Sequence, residues 1–100
     1  MAMCGGVQGS RAATAEDQDI CEKVKDQVQS KTNKSYPTFT ATHVATQVVA
    51  GTNYFIKVHV GNDEYIHIRV WQKLPPAMEL ELHETILTGK KESDPIVHFQ

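Results

Sequence analysis

Apolar residues follow two rhythms along this chain. In the first third, Ile20, Cys21, Val24 and Val28 fall at i, i+1, i+4 and i+8, one stripe of a helix. Thr14, with Asp17 three residues on, forms a capping-box signature, although Asp is shorter than the usual Glu. Glu16, Asp17 and Asp19 stand near the start, and Lys31 and Lys34 near the end, in the order that suits the helix macrodipole. Asn33 serves as C-cap, so the pattern predicts a helix from about Ala15 to Thr32 with one face buried. From Phe39 onward the chain is rich in Thr, Val, Ile, Tyr and Phe. That composition predicts strands at Thr38–Val48, Asn53–Val60, Tyr65–Lys73, Glu79–Thr88 and Ile96–Phe99. Turn signals separate them at Ala50-Gly51, Gly61-Asn62-Asp63, Leu74-Pro75-Pro76 and Thr88-Gly89-Lys90-Lys91. One helix followed by an antiparallel meander defines an α+β domain, with a sheet of four to five strands wrapped on a single N-terminal helix.

The middle hairpin permits a register prediction. Ile56, Val58 and Val60 alternate with polar or aromatic residues, as do Ile66, Ile68 and Val70. Directly paired residues share a face. Pairing Val60 with Ile66, Val58 with Ile68 and Ile56 with Val70 puts both apolar rows together. The connection is then a three-residue loop, Asn62 to Glu64, or contains a bulge. This register sets His59 opposite His67 and Lys57 opposite Arg69 on an outer face expected to be well solvated.

Two turns break the usual chemistry of turns. Gln47-Val48-Val49-Ala50-Gly51 places two valines and an alanine at a hairpin tip, where polar turn formers are the rule. Either the valines tuck under the sheet edge, or the tip is a contact for a groove on another molecule. Leu74-Pro75-Pro76-Ala77-Met78 is also apolar, and its prolines stiffen it. Alternate turns of a meander fall at the same end of the sheet, so these two tips are expected side by side. Gly51 is expected to supply a positive φ.

Composition narrows the choices. One hundred residues, 40% hydrophobic and 22% charged, build a single domain. Its expected parts are an N-terminal arm (1–12) made flexible by Gly5, Gly6, Gly9 and Ser10, the helix (14–33) and the sheet (37–100). A formal net charge of −2 gives no global reason to expect nucleic-acid binding, and no apolar run approaches a membrane span. Met1 to Arg11 has no apolar h-region. Together with only two cysteines, Cys4 and Cys21, expected as free thiols, this points to a reducing, cytoplasmic setting. His59 and His67 could bind a metal, but two ligands fall short of a structural zinc site, and an exposed polar face is the simpler reading. No metal or cofactor is expected. Cys4 on a mobile arm lacks the rigid, activating surroundings of a catalytic nucleophile. No phosphate loop, serine elbow or carboxylate pair is present, so no enzymatic activity is expected.

The run Gln47-Val48-Val49-Ala50-Gly51-Thr52-Asn53-Tyr54-Phe55-Ile56-Lys57-Val58 resembles the Gln-Xaa-Val-Xaa-Gly hairpin of the cystatins, with its flanking strand. Leu74-Pro75 is similar to that family's second-hairpin motif. Met3-Cys4-Gly5-Gly6 resembles the N-terminus of its type 1 members, the stefins, with Gly5 at the family's N-terminal glycine. The likeness spans nearly the whole chain. It departs at Pro76, where a polar residue is expected, and at His98, where an aromatic is expected. Trp71 precedes Leu74-Pro75 and is expected on a strand, so it is not equated with the second-hairpin tryptophan of secreted cystatins. The resemblance implies reversible, tight inhibition of papain-like cysteine proteases: papain and cathepsins L, S, H and B. The implied protease-binding residues are Met3, Cys4 and Gly5 on the arm, Gln47, Val48, Val49, Ala50 and Gly51 on the first tip, and Leu74, Pro75 and Pro76 on the second. It also implies a monomer able to form a domain-swapped dimer. The alternative is a non-inhibitory interaction module on the same fold.

Overall fold

A computed structural model describes residues 9–97 and Phe99. The predicted helix is present as α1, Ala15–Thr32. The Thr14 hydroxyl accepts from the Asp17 N–H, and the Asp17 carboxylate accepts from the Thr14 N–H at 2.8 Å, so the shorter Asp completes the capping box. Asn33 takes the left-handed conformation (φ 59°) and closes the other end, its N–H donating to the Gln29 carbonyl. Gln18 fixes the helix to the sheet: its amide oxygen accepts from Ala41 N–H at 2.8 Å, and its Nε2 donates to the Phe39 carbonyl at 3.0 Å.

The sheet is antiparallel and six-stranded, with β1 (Arg11–Ala12), β2 (Thr40–Val49), β3 (Gly51–Gly61), β4 (Glu64–Gln72) and β5 (Leu80–Leu82) in that order and β6 (Leu87–Lys90) pairing with β4. Its inner face packs Val44, Ile56, Val58, Ile66, Ile68, Val70 and Leu82 against Ile20, Cys21, Val24 and Val28 of α1. Cys21 is fully buried and free, and burial pushes its thiol up to about 12, so it stays protonated and inert.

The strands differ from expectation in four ways. First, Arg11–Ala12 lies within the segment expected to be a flexible arm, yet pairs with Val44 and His43. Arg11 donates to the Asp17 carboxylate at 2.6 Å and ties this strand to the helix start.

Second, the β3–β4 register is displaced by one pair: Val58 faces Ile66, Ile56 faces Ile68, and Tyr54 faces Val70. Of the two connections expected, a three-residue loop or one with a bulge, the second is present: the two-residue turn Asn62-Asp63, both residues at positive φ, with a bulge between His59 and Gly61. Asn and Asp tolerate the left-handed region such a turn requires, and the bulge restores the facing that a two-residue turn alone would flip. His59 therefore lies opposite Tyr65, and His67 opposite Lys57, so the two histidines do not pair across the strands.

Third, the single strand expected at Glu79–Thr88 is divided into β5 and β6, both along β4. Between them Thr85 N–H turns back to His83 Nδ1.

Fourth, Ile96, Val97 and Phe99 are not strand. The C-terminal segment instead crosses the outer face of the sheet. Lys57 Nζ donates to the carbonyls of Glu92 and Asp94, Arg69 donates to the Phe99 carbonyl at 2.9 Å, and the Phe99 ring meets Phe55 edge-on at 5.6 Å. The outer face expected to be solvated is thus covered here: Phe55, Lys57 and His67 are all buried.

Candidate protease-binding edge

Residues Val48 to Gly51 form the end of the β2–β3 hairpin. Pairing continues to Val49 opposite Gly51, leaving Ala50 alone at the apex. Val48 is 65% and Val49 42% exposed, so the valines do not tuck under the sheet. Gly51 is there for two reasons. Its φ is +107°, and a Cβ at this position would stand 2.9 Å from Trp71 Nε1 and run into the Gln72 carbonyl oxygen. Gln47 lies below the tip, not on it. It is buried opposite Asn53, whose Nδ2 donates to its Oε1 at 2.9 Å.

The second tip follows β4. Its neck is closed by Lys73 N–H donating to the Glu79 carbonyl at 2.8 Å, and by the Lys73–Glu79 ion pair at 3.3 Å. Beyond the neck Leu74 is 57% and Met78 47% exposed, Pro75 and Pro76 are exposed, and the peptide bond between the prolines is cis. Because Thr52 pairs with Gln72, the start of β3 and the end of β4 are neighbours, and the two tips share one end of the sheet. None of the residues 48–51 or 74–78 carries an ionisable side chain. The edge is thus apolar, uncharged and braced from below.

Met3, Cys4, Gly5 and Gly6 lie outside the described residues. What the structure does define is the root they lead into. β1 runs antiparallel to β2, with Arg11 opposite Val44 and Ala12 opposite His43.

Trp71 went unrecognised as a site residue. It is on a strand, as expected, but its indole N–H donates to the Ala50 carbonyl at 2.9 Å. The available signal was its position on the strand beside the first tip. Among the described residues no group of three or more metal-ligating side chains comes together, and no helix is long and apolar enough to cross a membrane.

A capped helix on the inner face of an antiparallel sheet, with two apolar tips at one end, is the architecture expected from the sequence. The chain matches the cystatin domain over residues 5–93 and belongs to the cystatin family. It is 44% identical to Cystatin-B of Pan troglodytes and 43% identical to Cystatin-B of Homo sapiens, each over 97 residues, or 97% of this chain and 99% of the relative. This is the type 1 branch, that of stefin B, to which the hairpin and N-terminal motifs pointed. It is also 56% identical to Leukocyte cysteine proteinase inhibitor 1 of Sus scrofa over 73 residues, 73% of this chain and 71% of that one. These relatives are named as cystatins and as a proteinase inhibitor, not as enzymes.

Proposed function

We propose that this protein is a reversible, tight-binding inhibitor of papain-like cysteine proteases that fills the active-site cleft and does no chemistry of its own. The observation that carries this reading is the pair of exposed apolar tips, Val48–Gly51 and Leu74–Pro76, at one end of the sheet. Water gains nothing from valines and leucine at a turn, whereas an apolar groove does. The name of the Sus scrofa relative specifies cysteine proteinases as the target class. In a papain-like cleft a thiolate–imidazolium pair sits at the centre of a groove. The tips lie over that centre and the primed side, and the arm at Met3, Cys4 and Gly5 takes the non-primed subsites. Gln47 supports the first tip from beneath through Asn53. No peptide bond is presented in attack geometry, so the inhibitor is not cleaved. A standard interface of about 1,600 Å² accommodates these three pieces.

Cathepsins L, S, H and B and papain are the proposed targets, and the cytoplasm is the proposed site of action. The protein acts as a monomer. With Ala50 alone at the apex between β2 and β3, opening of that hairpin would join the two strands and allow a domain-swapped dimer. Titration of papain with the protein, followed with a fluorogenic peptide substrate, tests the reading. A stoichiometric loss of activity reversed on dilution is expected. Undiminished activity would leave the non-inhibitory module as the function.

A further inference from the structure

We infer that Trp71 is a positioning residue that holds the first tip at a fixed spacing from the second, so that the edge meets a protease already assembled. This rests on the inhibitory reading above. Trp71 occupies the third place in a row of directly paired residues that crosses four strands on the outer face: Gln47, Asn53, Trp71 and Glu81. The row lies immediately below both tips. From it the indole reaches each hairpin. Its N–H donates to the carbonyl of Ala50, the apex of the first tip. Its ring lies under Lys73 Nζ, 5.6 Å from the centroid, and Lys73 closes the neck of the second tip through Glu79.

The surroundings make the N–H the point of control. Val48, Val49 and Ala50 are exposed, so packing on neighbouring side chains does little to fix the apex. Beside the apex is an open recess of about 620 Å³ bordered by Val49, Ala50, Arg69, Trp71 and His83, and packing from that side does not hold the tip either. Gly51 has no Cβ, which is what lets the indole approach the apex at all. A tip held open for part of the time reduces the apparent affinity by the fraction of molecules that are competent. Loss of one net hydrogen bond lowers the closed-to-open ratio by about fivefold and so lowers that fraction by at most about fivefold.

Trp71 is the single tryptophan of the chain, so the bond can be removed atom by atom. Incorporation of 3-benzothienylalanine in a tryptophan auxotroph replaces the indole N–H with sulfur and keeps the ring; 7-azatryptophan keeps the N–H. The expected result is faster amide exchange at Ala50 and Gly51 in the free benzothienyl protein and weakening of papain inhibition by up to about fivefold. Tm should fall by at most about 8 °C, and both effects should be restored in the azatryptophan protein. Unchanged exchange at the tip would overturn the positioning role whatever the inhibition data show. Altered exchange with equal papain inhibition by all three proteins would show that the brace does not serve binding. Absence of inhibition by the unmodified protein would instead refute the inhibitory reading, and the exchange comparison would still decide whether Trp71 holds the tip.

Discussion

At Val49 the side chain faces solvent beside other apolar residues, so the free protein tolerates a charge there at little cost in stability. In a cleft that charge has no partner. Val49→Asp should therefore leave Tm within about 2 °C of wild type and raise the inhibition constant for papain by roughly a hundredfold, the effect of burying an unpaired carboxylate. His67 presents the opposite case, a titratable group that never sees water. It is fully buried, and among the described residues neither ring nitrogen has a hydrogen-bond partner. Burial first, and then the neighbouring Lys57 and Lys90, lower its pKa from 6.5 to about 4, with Asp94 opposing. Between those two values the unfolded chain binds a proton that the folded chain refuses. Stability should therefore fall as the pH drops from 6.5 toward 4 and level off below, by at most about 3 kcal/mol. Urea denaturation at a series of pH values would measure the slope, and His67→Leu should flatten it. Asp17 acts in a separate, more acidic window. Burial raises its pKa, but the bonds from Arg11 and Thr14 outweigh that and hold it below 3.8, so its contribution is lost only at still lower pH.

Among the elements, α1 was legible to the residue because its signals are local: a stripe, a capping box and an asparagine at the end. The positions of β2, β3 and β4 were legible from alternation. Their register was not, because a shift of two residues leaves every side chain on the same face, and the bulge that produces it has no hydrophobic signature. The C-terminal segment was misread for a related reason. Lys57, His67 and Arg69 look identical in sequence whether their outer face meets water or backbone carbonyls. Here Glu92, Asp94 and Phe99 supply the carbonyls. Trp71 was placed on its strand, but its bond to the tip was not legible, because the partner is a main-chain oxygen, which no side-chain pattern reveals. The covering segment should carry real stability. Truncation after Lys91 uncovers Phe55 and strips Lys57 of both its acceptors, with an expected loss on the order of 2–4 kcal/mol. A urea midpoint that did not move would show that the segment lies on the sheet without holding it.

For the molecule as a whole, the proposed inhibition draws on a braced edge and on the N-terminal arm. The tips are held by pairing, by Gly51 and by Trp71, whereas Met3 to Gly5 lead into a root secured at Arg11 by β2 and by Asp17. Deleting Met1 to Gly5 should leave association with a cathepsin nearly unchanged and speed dissociation by on the order of tenfold, since the tips still dock. Stopped-flow kinetics would separate the two rates, and an unchanged off-rate would remove the arm from the interface. The absence of any ionisable side chain from residues 48–51 and 74–78 has a further consequence once set beside His67. Protons act on the scaffold and have no purchase on the surface it presents. Mild acid should lower the number of working inhibitor molecules, seen as a later titration end-point, while each survivor offers the same uncharged edge as before.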